Sequence, residues 1–278
     1  HDPHKIADSA TLTPMDHFHF RDGRLFCESI DVERLAEQFG TPLYVYSKAT
    51  LTDHVTRMRQ AFADISPEIC FAVKACPNIH ILKHLASLGC GMDVVSGGEL
   101  MRAQAAGVSS ERIVFAGVGK TDSEIRAALA GPRVDERKAA VAMMNVESEP
   151  ELEVLAAAAE AMRSPIRCAL RINPGVAAGG HAYIQTATSV SKFGIEPQHA
   201  RELFKRFARN QHITLTGLHV HIGSSITTVR PYTDALAVIM TRIDQLRRDG
   251  HDITHLDIGG GFGADYTSGQ APAYDTFA

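Results

Sequence analysis

From Glu68 onward the chain repeats one unit: a short strand rich in β-branched and apolar residues, a polar or glycine-containing turn, then an amphipathic helix. The strands predicted are Ile69–Val73, Met92–Val95, Ile113–Ala116, Val141–Asn145, Cys168–Ile172, Leu215–His221 and His255–Ile258. Strands that alternate with helices pair in parallel, because each helical crossover returns the chain to the same end of the sheet. Seven in succession, unbroken by a linker or low-complexity segment, fit a (β/α)8 barrel better than an open two-sided sheet. A barrel needs eight, and the sequence stops at "YDTFA" soon after the seventh. The expected fold class is therefore α/β, a (β/α)8 TIM-type barrel truncated after its seventh strand.

Local signals agree with that pattern. Three helices open with a predicted capping box, at Ser96-x-x-Glu99, Thr121-x-x-Glu124 and Ser148-x-x-Glu151. The helix predicted over Ile79–Leu88 puts Ile79, Leu82 and Leu85 on one face and stops at Gly89. Ahead of the repeat, "MDHFHFRDGRLFCES" alternates Phe18 and Phe20, turns at Asp22-Gly23 and resumes at Leu25 and Phe26, which predicts a hairpin. A short helix capped by Asp31 and ended by Gly40 follows, then a strand over "PLYVYS" and a helix capped by Ser47. The predicted division is residues 1–40, hairpin and helix, and residues 41–278, the incomplete barrel.

Composition narrows the function classes. A formal net charge of -4 argues against a nucleic-acid or anionic-membrane partner, which asks for a basic excess or stripe. No run of about 18 apolar residues predicts a membrane span, and "HDPHKIADSA" lacks the apolar core of a secretory signal. The cysteines, Cys27, Cys70, Cys76, Cys90 and Cys168, are odd in number and form no CxxC pair, which fits neither a disulfide framework nor a thiolate zinc site. A reducing, cytoplasmic setting is the expectation.

In such a barrel chemistry gathers at the C-terminal ends of the strands. The polar residues there are Lys74, Asp93 with Ser96, Lys120, Asn145, Arg171 with Asn173, His219, His221 with Ser224, and Asp257 with Gly259–Gly261. Lys74 ends an apolar strand, "EICFAVKACPN", where a buried unpaired ammonium is costly. It either snorkels into water or is aimed inward for chemistry. "LDIGGGFGADY" runs a strand into three glycines, which either make a plain tight turn or let their backbone N–H groups approach an anion closely. Its match to G-x-G-x-x-A (Gly259, Gly261, Ala264) is weak, because a dinucleotide loop normally follows the first strand. "GLHVHIGSS" sets His219 and His221 on one side of a strand, as metal ligands, as packed core histidines, or with His221 stacked on a flat ligand whose phosphate Ser224 holds. Glu99 is accounted for by its capping box, Lys120 reads equally as a surface lysine at a helix end, and Asp93 and Arg171 are natural ion partners. Together these parts ask for a ligand with a carbonyl to condense with a lysine, a flat ring and a phosphate; pyridoxal phosphate has all three. A lysine in a partly desolvated pocket is more often neutral and able to attack a carbonyl, so Lys74 is expected to point inward and to be kept dry.

The stretches "PLYVYSKATL", "FAVKACPN", "GMDVVSGGEL", "VFAGVGKTDSEI", "NVESEPEL", "ALRINPGV", "HAYIQTATSVSKFGI", "GLHVHIGSSIT" and "LDIGGGFGADY" occur in the order seen in diaminopimelate decarboxylases. The chain resembles that family, within the alanine-racemase-like, fold type III class of pyridoxal 5'-phosphate enzymes, from about residue 17 to its end. The resemblance implies that Lys74 carries the cofactor covalently, that His221 stacks on its ring, and that Ser224, Gly260 and Gly261 hold its phosphate. It also implies that Asp93 and Arg171 lie around the lysine and ring, and that no metal takes part. The implied reaction is decarboxylation of meso-2,6-diaminopimelate to L-lysine and carbon dioxide, the last step of lysine biosynthesis. The implied partners are a small-molecule amino-acid substrate and a second subunit, in a homodimer with active sites at its interface. Relatives of this kind continue with an eighth strand and a β-domain, and the hairpin at residues 15–29 resembles the portion that joins that domain, so this chain alone is expected to be inactive. Departures lie at "KACPN" in place of "KANSN", at Ala187 in place of glycine, and in "GPRVDERKAAVAMM". An ornithine- or arginine-type decarboxylase of the same class, a non-catalytic pyridoxal phosphate-binding barrel and a metal-dependent barrel hydrolase are the alternative readings.

Overall fold

The computed structural model of the chain describes residues 17–131, 140–176, 193–263 and 272–278, together with the backbone of 133–134 and 137–138. Most of the "HAYIQTATSVSKFGI" motif, including Ala187, and Ala264 lie outside the described residues. The chain divides into two compact units, His1–Pro67 with Ala264–Ala278, and Glu68–Gly263.

In the first unit β1 (Phe18–Arg21) pairs antiparallel with β2 (Arg24–Cys27), and β2 with β3 (Ile30–Asp31). Asp22 and Gly23 both take positive φ, 50° and 77°, as the tight turn between twisted strands requires. Helix α1 (Val32–Phe39) starts at Asp31, whose carboxylate accepts the Glu33 N–H at 2.9 Å, and ends at Gly40. Helix α2 (Lys48–Ala61) starts at Ser47, whose hydroxyl accepts the Thr50 N–H at 3.0 Å. The strand predicted over "PLYVYS" is not formed. Its β-favouring apolar and aromatic run is present, but Leu43, Tyr44 and Tyr46 are exposed and no neighbouring strand receives their backbone among the described residues.

The second unit contains β4 (Cys70–Ala72), α3 (Ile79–Ser87), β5 (Gly91–Val94), α4 (Gly97–Ala105), β6 (Ile113–Phe115) and α5 (Asp122–Ala130). A small antiparallel pair follows, β7 (Arg133–Val134) and β8 (Arg137–Lys138), inside the segment that departs from the family pattern. Then come β9 (Met143–Val146), α6 (Glu149–Met162), β10 (Ile166–Arg171), α7 (Pro197–Phe207), β11 (Ile213–His219), α8 (Arg230–Arg248) and β12 (His255–Asp257). The sheet order is β12-β11-β10-β9-β6-β5-β4, with every neighbouring pair parallel. All seven predicted strands form, neighbours in space as in sequence, and this curled half-barrel has the winding of a (β/α)8 barrel over seven strands. Met92, Ile113, Phe115 and Met144 from its strands, with Leu82, Leu100, Leu129 and Leu152 from its helices, are fully buried. Each contributes roughly 1.5–3 kcal/mol of burial. The buried stripe of α3 is Ile81, Leu82 and Leu85, with Ile79 half-buried, one position round from the predicted face. Among the described residues no helix is long and apolar enough to cross a membrane.

The capping boxes differ in a way that bears on the site. Thr121 and Glu124 cap each other reciprocally. At Ser96 and Ser148 only the hydroxyl half forms, at 3.3 and 3.4 Å. The carboxylates of Glu99 and Glu151 reach one residue further back, to the N–H groups of Val95 (2.9 Å) and Glu147 (3.0 Å). Both helices are thereby tied to the strand ends that precede them.

Candidate active site at the mouth of the half-barrel

Strand β4 ends at Ala72, and Val73–Ala75 form one turn of 3-10 helix before Asn78 caps α3. Val73 takes the fully buried slot and the next residue, Lys74, is exposed. The expected inward, dry amine is therefore not what the structure has; Lys74 stands accessible at the rim, without an ion pair among the described residues. Its positive charge is still felt by two inner groups, Asp93 and His221.

Asp93 on β5 has its carboxyl pushed up to about 7 by burial and by the neighbouring Asp257 charge, with Lys74 pulling the other way. Its Oδ1 is buried without a hydrogen-bond partner among the described residues. Asp257, at the end of β12, is also driven up by burial, but four interactions more than offset this and hold it below the usual carboxylate range. They are the charge interactions with His219 and His221, the Asn145 amide donating at 2.7 Å and the Gly259 N–H donating at 2.8 Å. Strand register brings these groups together, since His219 lies opposite both Arg171 and Asp257.

The expected pairing of Asp93 with Arg171 does not occur. Arg171 Nη1 donates to both oxygens of Glu147, at 2.6 and 2.7 Å, and the guanidinium lies 5.1 Å from the Phe193 ring centroid. Glu147 was missed by the sequence reading. The signal was present: Asn145 and Glu147 are two residues apart at a strand end and so face the same side. Lys120 is not a surface lysine. Its side chain is fully buried, and Nζ donates to the Gly117 carbonyl (2.7 Å), the Asn145 carbonyl (2.8 Å) and Glu151 (2.7 Å), which staples the end of β6 to that of β9.

His221 Nδ1 lies 2.9 Å from the Gly259 carbonyl, which can only accept, so the ring carries its proton on Nδ1. Burial, then the charges of Arg171, His219 and Lys74, pushes the ring down to about 4, so it is neutral at pH 7. Gly259, Gly260 and Gly261 all have positive φ, 72°, 64° and 94°. A Cβ at Gly259 would stand 2.5 Å from the Val220 carbonyl, one at Gly261 would overlap the Gly223 carbonyl, and one at Gly260 would meet nothing within 4 Å. The N–H groups of Gly260 and Gly261 have no acceptor among the described residues. Ser224 is exposed, on the loop whose Gly223 packs against Gly261 and whose Ile226 N–H donates to the Gly261 carbonyl at 2.9 Å. The bend thus has a packed side and an open side. Gly261→Ala is expected to lose at least about 1 kcal/mol more stability than Gly260→Ala, which carries only the left-handed backbone cost of about 1–2 kcal/mol. Urea denaturation of the two variants checks this.

The mouth therefore offers an accessible primary amine, a neutral imidazole of fixed tautomer, a carboxyl that titrates near neutrality, a buried guanidinium and two backbone donors free to hold an anion. Lys74, Asp93, Arg171 and His221 are linked through their charges, and Gly260 and Gly261 join them through the Gly259 carbonyl. Among the described residues no group of three or more His, Cys, Asp or Glu is placed to hold a metal ion.

Comparison with known proteins agrees with this chemistry. The chain is 41% identical over 254 residues to diaminopimelate decarboxylase of Neisseria meningitidis, covering 91% of this chain and 61% of that protein. It is 42% identical over 247 residues to diaminopimelate decarboxylase of Aquifex aeolicus, covering 89% and 56%. Diaminopimelate decarboxylase from M. jannaschii superposes with a TM-score of 0.83 at 33% identity, covering 94% of this chain and 60% of that one. The Helicobacter pylori enzyme complexed with L-lysine superposes at 0.77 with 31% identity, covering 88% and 60%. The chain spans about three-fifths of the length of these relatives. The model of the pyridoxal binding domain of pyridoxal-dependent decarboxylases matches residues 48–276, most of the sequence, and the chain belongs to that family.

Proposed function

We propose that this chain is the cofactor-binding part of a pyridoxal 5'-phosphate-dependent enzyme that decarboxylates meso-2,6-diaminopimelate to L-lysine and carbon dioxide. The observation that carries the reading is the Gly259–Gly261 bend. It has two backbone N–H groups without acceptors, a bonded neutral His221 beside it, and a lysine whose charge reaches that histidine. These residues fit the cofactor: the donors without an acceptor among the described residues suit its phosphate, and a Cβ would meet other atoms at Gly259 and Gly261 but open space at Gly260. When bound, pyridoxal phosphate supplies an aldehyde that takes up an amine and a ring that accepts the electron pair left by departing carbon dioxide.

The chain's own residues take the following roles. Lys74 holds the aldehyde covalently and is free of competing ion pairs among the described residues. The N–H groups of Gly260 and Gly261 and the Ser224 hydroxyl bind the phosphate. His221 presents a neutral ring face, with no charge to repel an electron-poor heterocycle. Arg171, fixed by Glu147, adds its charge to those that keep the His221 ring neutral, and Asp93 holds or releases a proton near neutral pH within the field of Lys74.

The choice of diaminopimelate follows the identities, 41–42% to the two diaminopimelate decarboxylases above. A lysine/ornithine decarboxylase from Vibrio vulnificus shares the fold at 24%. We also propose a homodimer with active sites at its interface, a cytoplasmic setting, and residues 1–40 as the portion that joins a β-domain.

Borohydride reduction followed by peptide mapping tests the cofactor reading. A pyridoxyl adduct is expected on the peptide containing Lys74 and is expected to vanish in Lys74→Ala. An adduct on another lysine sinks the assignment. A panel of diaminopimelate, ornithine, arginine and lysine, turned over by the full-length protein, decides the substrate.

A further inference from the structure

The three carbonyls of the glycine bend are all occupied, each by a different donor. Gly259 C=O accepts from His221 Nδ1 at 2.9 Å, Gly260 C=O from the Tyr232 hydroxyl at 2.8 Å, and Gly261 C=O from the Ile226 N–H at 2.9 Å. In a trans peptide the C=O and the following N–H point in opposite directions. A donor that holds the Gly260 carbonyl therefore turns the Gly261 N–H away from itself, and His221 does the same for the Gly260 N–H. These are the two N–H groups without an acceptor among the described residues. Glycine makes this pinning necessary, because a run of three residues with no Cβ has many accessible peptide orientations and nothing of its own to select one.

We propose, resting on the cofactor reading above, that Tyr232 is a positioning residue for the phosphate of the cofactor: its hydroxyl holds the Gly260 carbonyl and so aims the Gly261 N–H at the anion. Tyr232 is well placed for this. It lies in the first turn of α8, is 6% exposed, and stacks on Phe262, the residue after the bend, with ring centroids 5.3 Å apart and planes inclined by 21°. The stack fixes the ring and the ring fixes the hydroxyl. A phenylalanine at this position would fill the same space and leave the Gly260 carbonyl without this donor.

The test compares two ligands that differ in the phosphate. Dissociation constants of this chain for pyridoxal phosphate and for pyridoxal are measured by absorbance titration for the unmodified protein, Tyr232→Phe and Phe262→Leu. Tyr232→Phe is expected to bind pyridoxal phosphate about 3- to 10-fold more weakly, the loss of one hydrogen bond, with pyridoxal unchanged. Inorganic phosphate should compete correspondingly less well. Phe262→Leu, which keeps the hydroxyl, is expected to lower stability while preserving the ratio of the two constants. Equal losses for both ligands in Tyr232→Phe, or a ratio lowered as far by Phe262→Leu, overturn the positioning role. An unmodified chain that binds pyridoxal as tightly as pyridoxal phosphate overturns the phosphate cradle itself.

Discussion

Glu147→Ala is expected to destabilise the half-barrel by about 3–5 kcal/mol, because it leaves the Arg171 guanidinium buried with no counter-charge. Glu147 and Arg171 are 7% and 8% exposed, and both carboxylate oxygens take a hydrogen bond from the same Nη1. A domain stable by roughly 5–15 kcal/mol overall loses a large share of that margin. Urea denaturation of the chain measures the loss. The pair need not be stabilising as a pair, since two well-packed apolar residues often do as well at such sites. Glu147→Leu combined with Arg171→Met is therefore expected to recover most of what Glu147→Ala loses. A loss below about 1 kcal/mol in the single variant would show that the guanidinium finds another partner. The pair also bears on the mouth: the Arg171 charge pushes the His219 and His221 rings down and Glu147 opposes it at His219, so losing Glu147 should push His219 further down.

The strands were legible because each is a short apolar run closed by a turn, and period and caps are local properties. The small β7–β8 pair was not, since two-residue strands carry no period. Neither was the absence of a strand over "PLYVYS", an apolar and aromatic run that suits a strand; pairing depends on a neighbour the local sequence does not contain. In the site, the place of the glycine bend was readable from "LDIGGGFGADY", because residues without a Cβ take the positive φ that a sharp bend after a strand asks for. The inner ion network was not. Lys120 and Arg171 each have several acidic candidates in the sequence, and the choice of Glu151 and Glu147 is made by helix α6 entering behind β9. Lys74 misled in the other direction. A strand predicted to run through Val73 aims the next residue at the interior, but the 3-10 turn begins at Val73 and sets Lys74 on the rim.

Asp93→Asn is expected to make the chain more stable above pH 7 and to leave it nearly unchanged near pH 4. The unfolded chain gives up this proton near 3.8, whereas the folded chain keeps it to about 7. Between those values the folded state binds the extra proton, so stability falls as pH rises, by about 1.4 kcal/mol per unit at most. An asparagine carries no such charge, and the expected gain at pH 8 is about 2–4 kcal/mol. His221 works with the opposite sign. Its ring is protonated near 6.5 in the unfolded chain and at about 4 in the folded one, so its contribution is lost as pH falls through that window. The two slopes oppose each other between roughly pH 4 and 6.5, which hides both in the unmodified protein. Asp93→Asn removes one and exposes the other, so the variant should lose stability on acidification more steeply than the parent. Urea midpoints for both proteins at pH 4, 5.5, 7 and 8 measure the difference, and a gap that does not change with pH excludes a neutral Asp93. The same proton ties stability to chemistry: a carboxyl that ionises near pH 7 within the field of Lys74 adds a negative charge where the amine must react, so a step near pH 7 in the absorbance titration of bound cofactor should disappear in the variant.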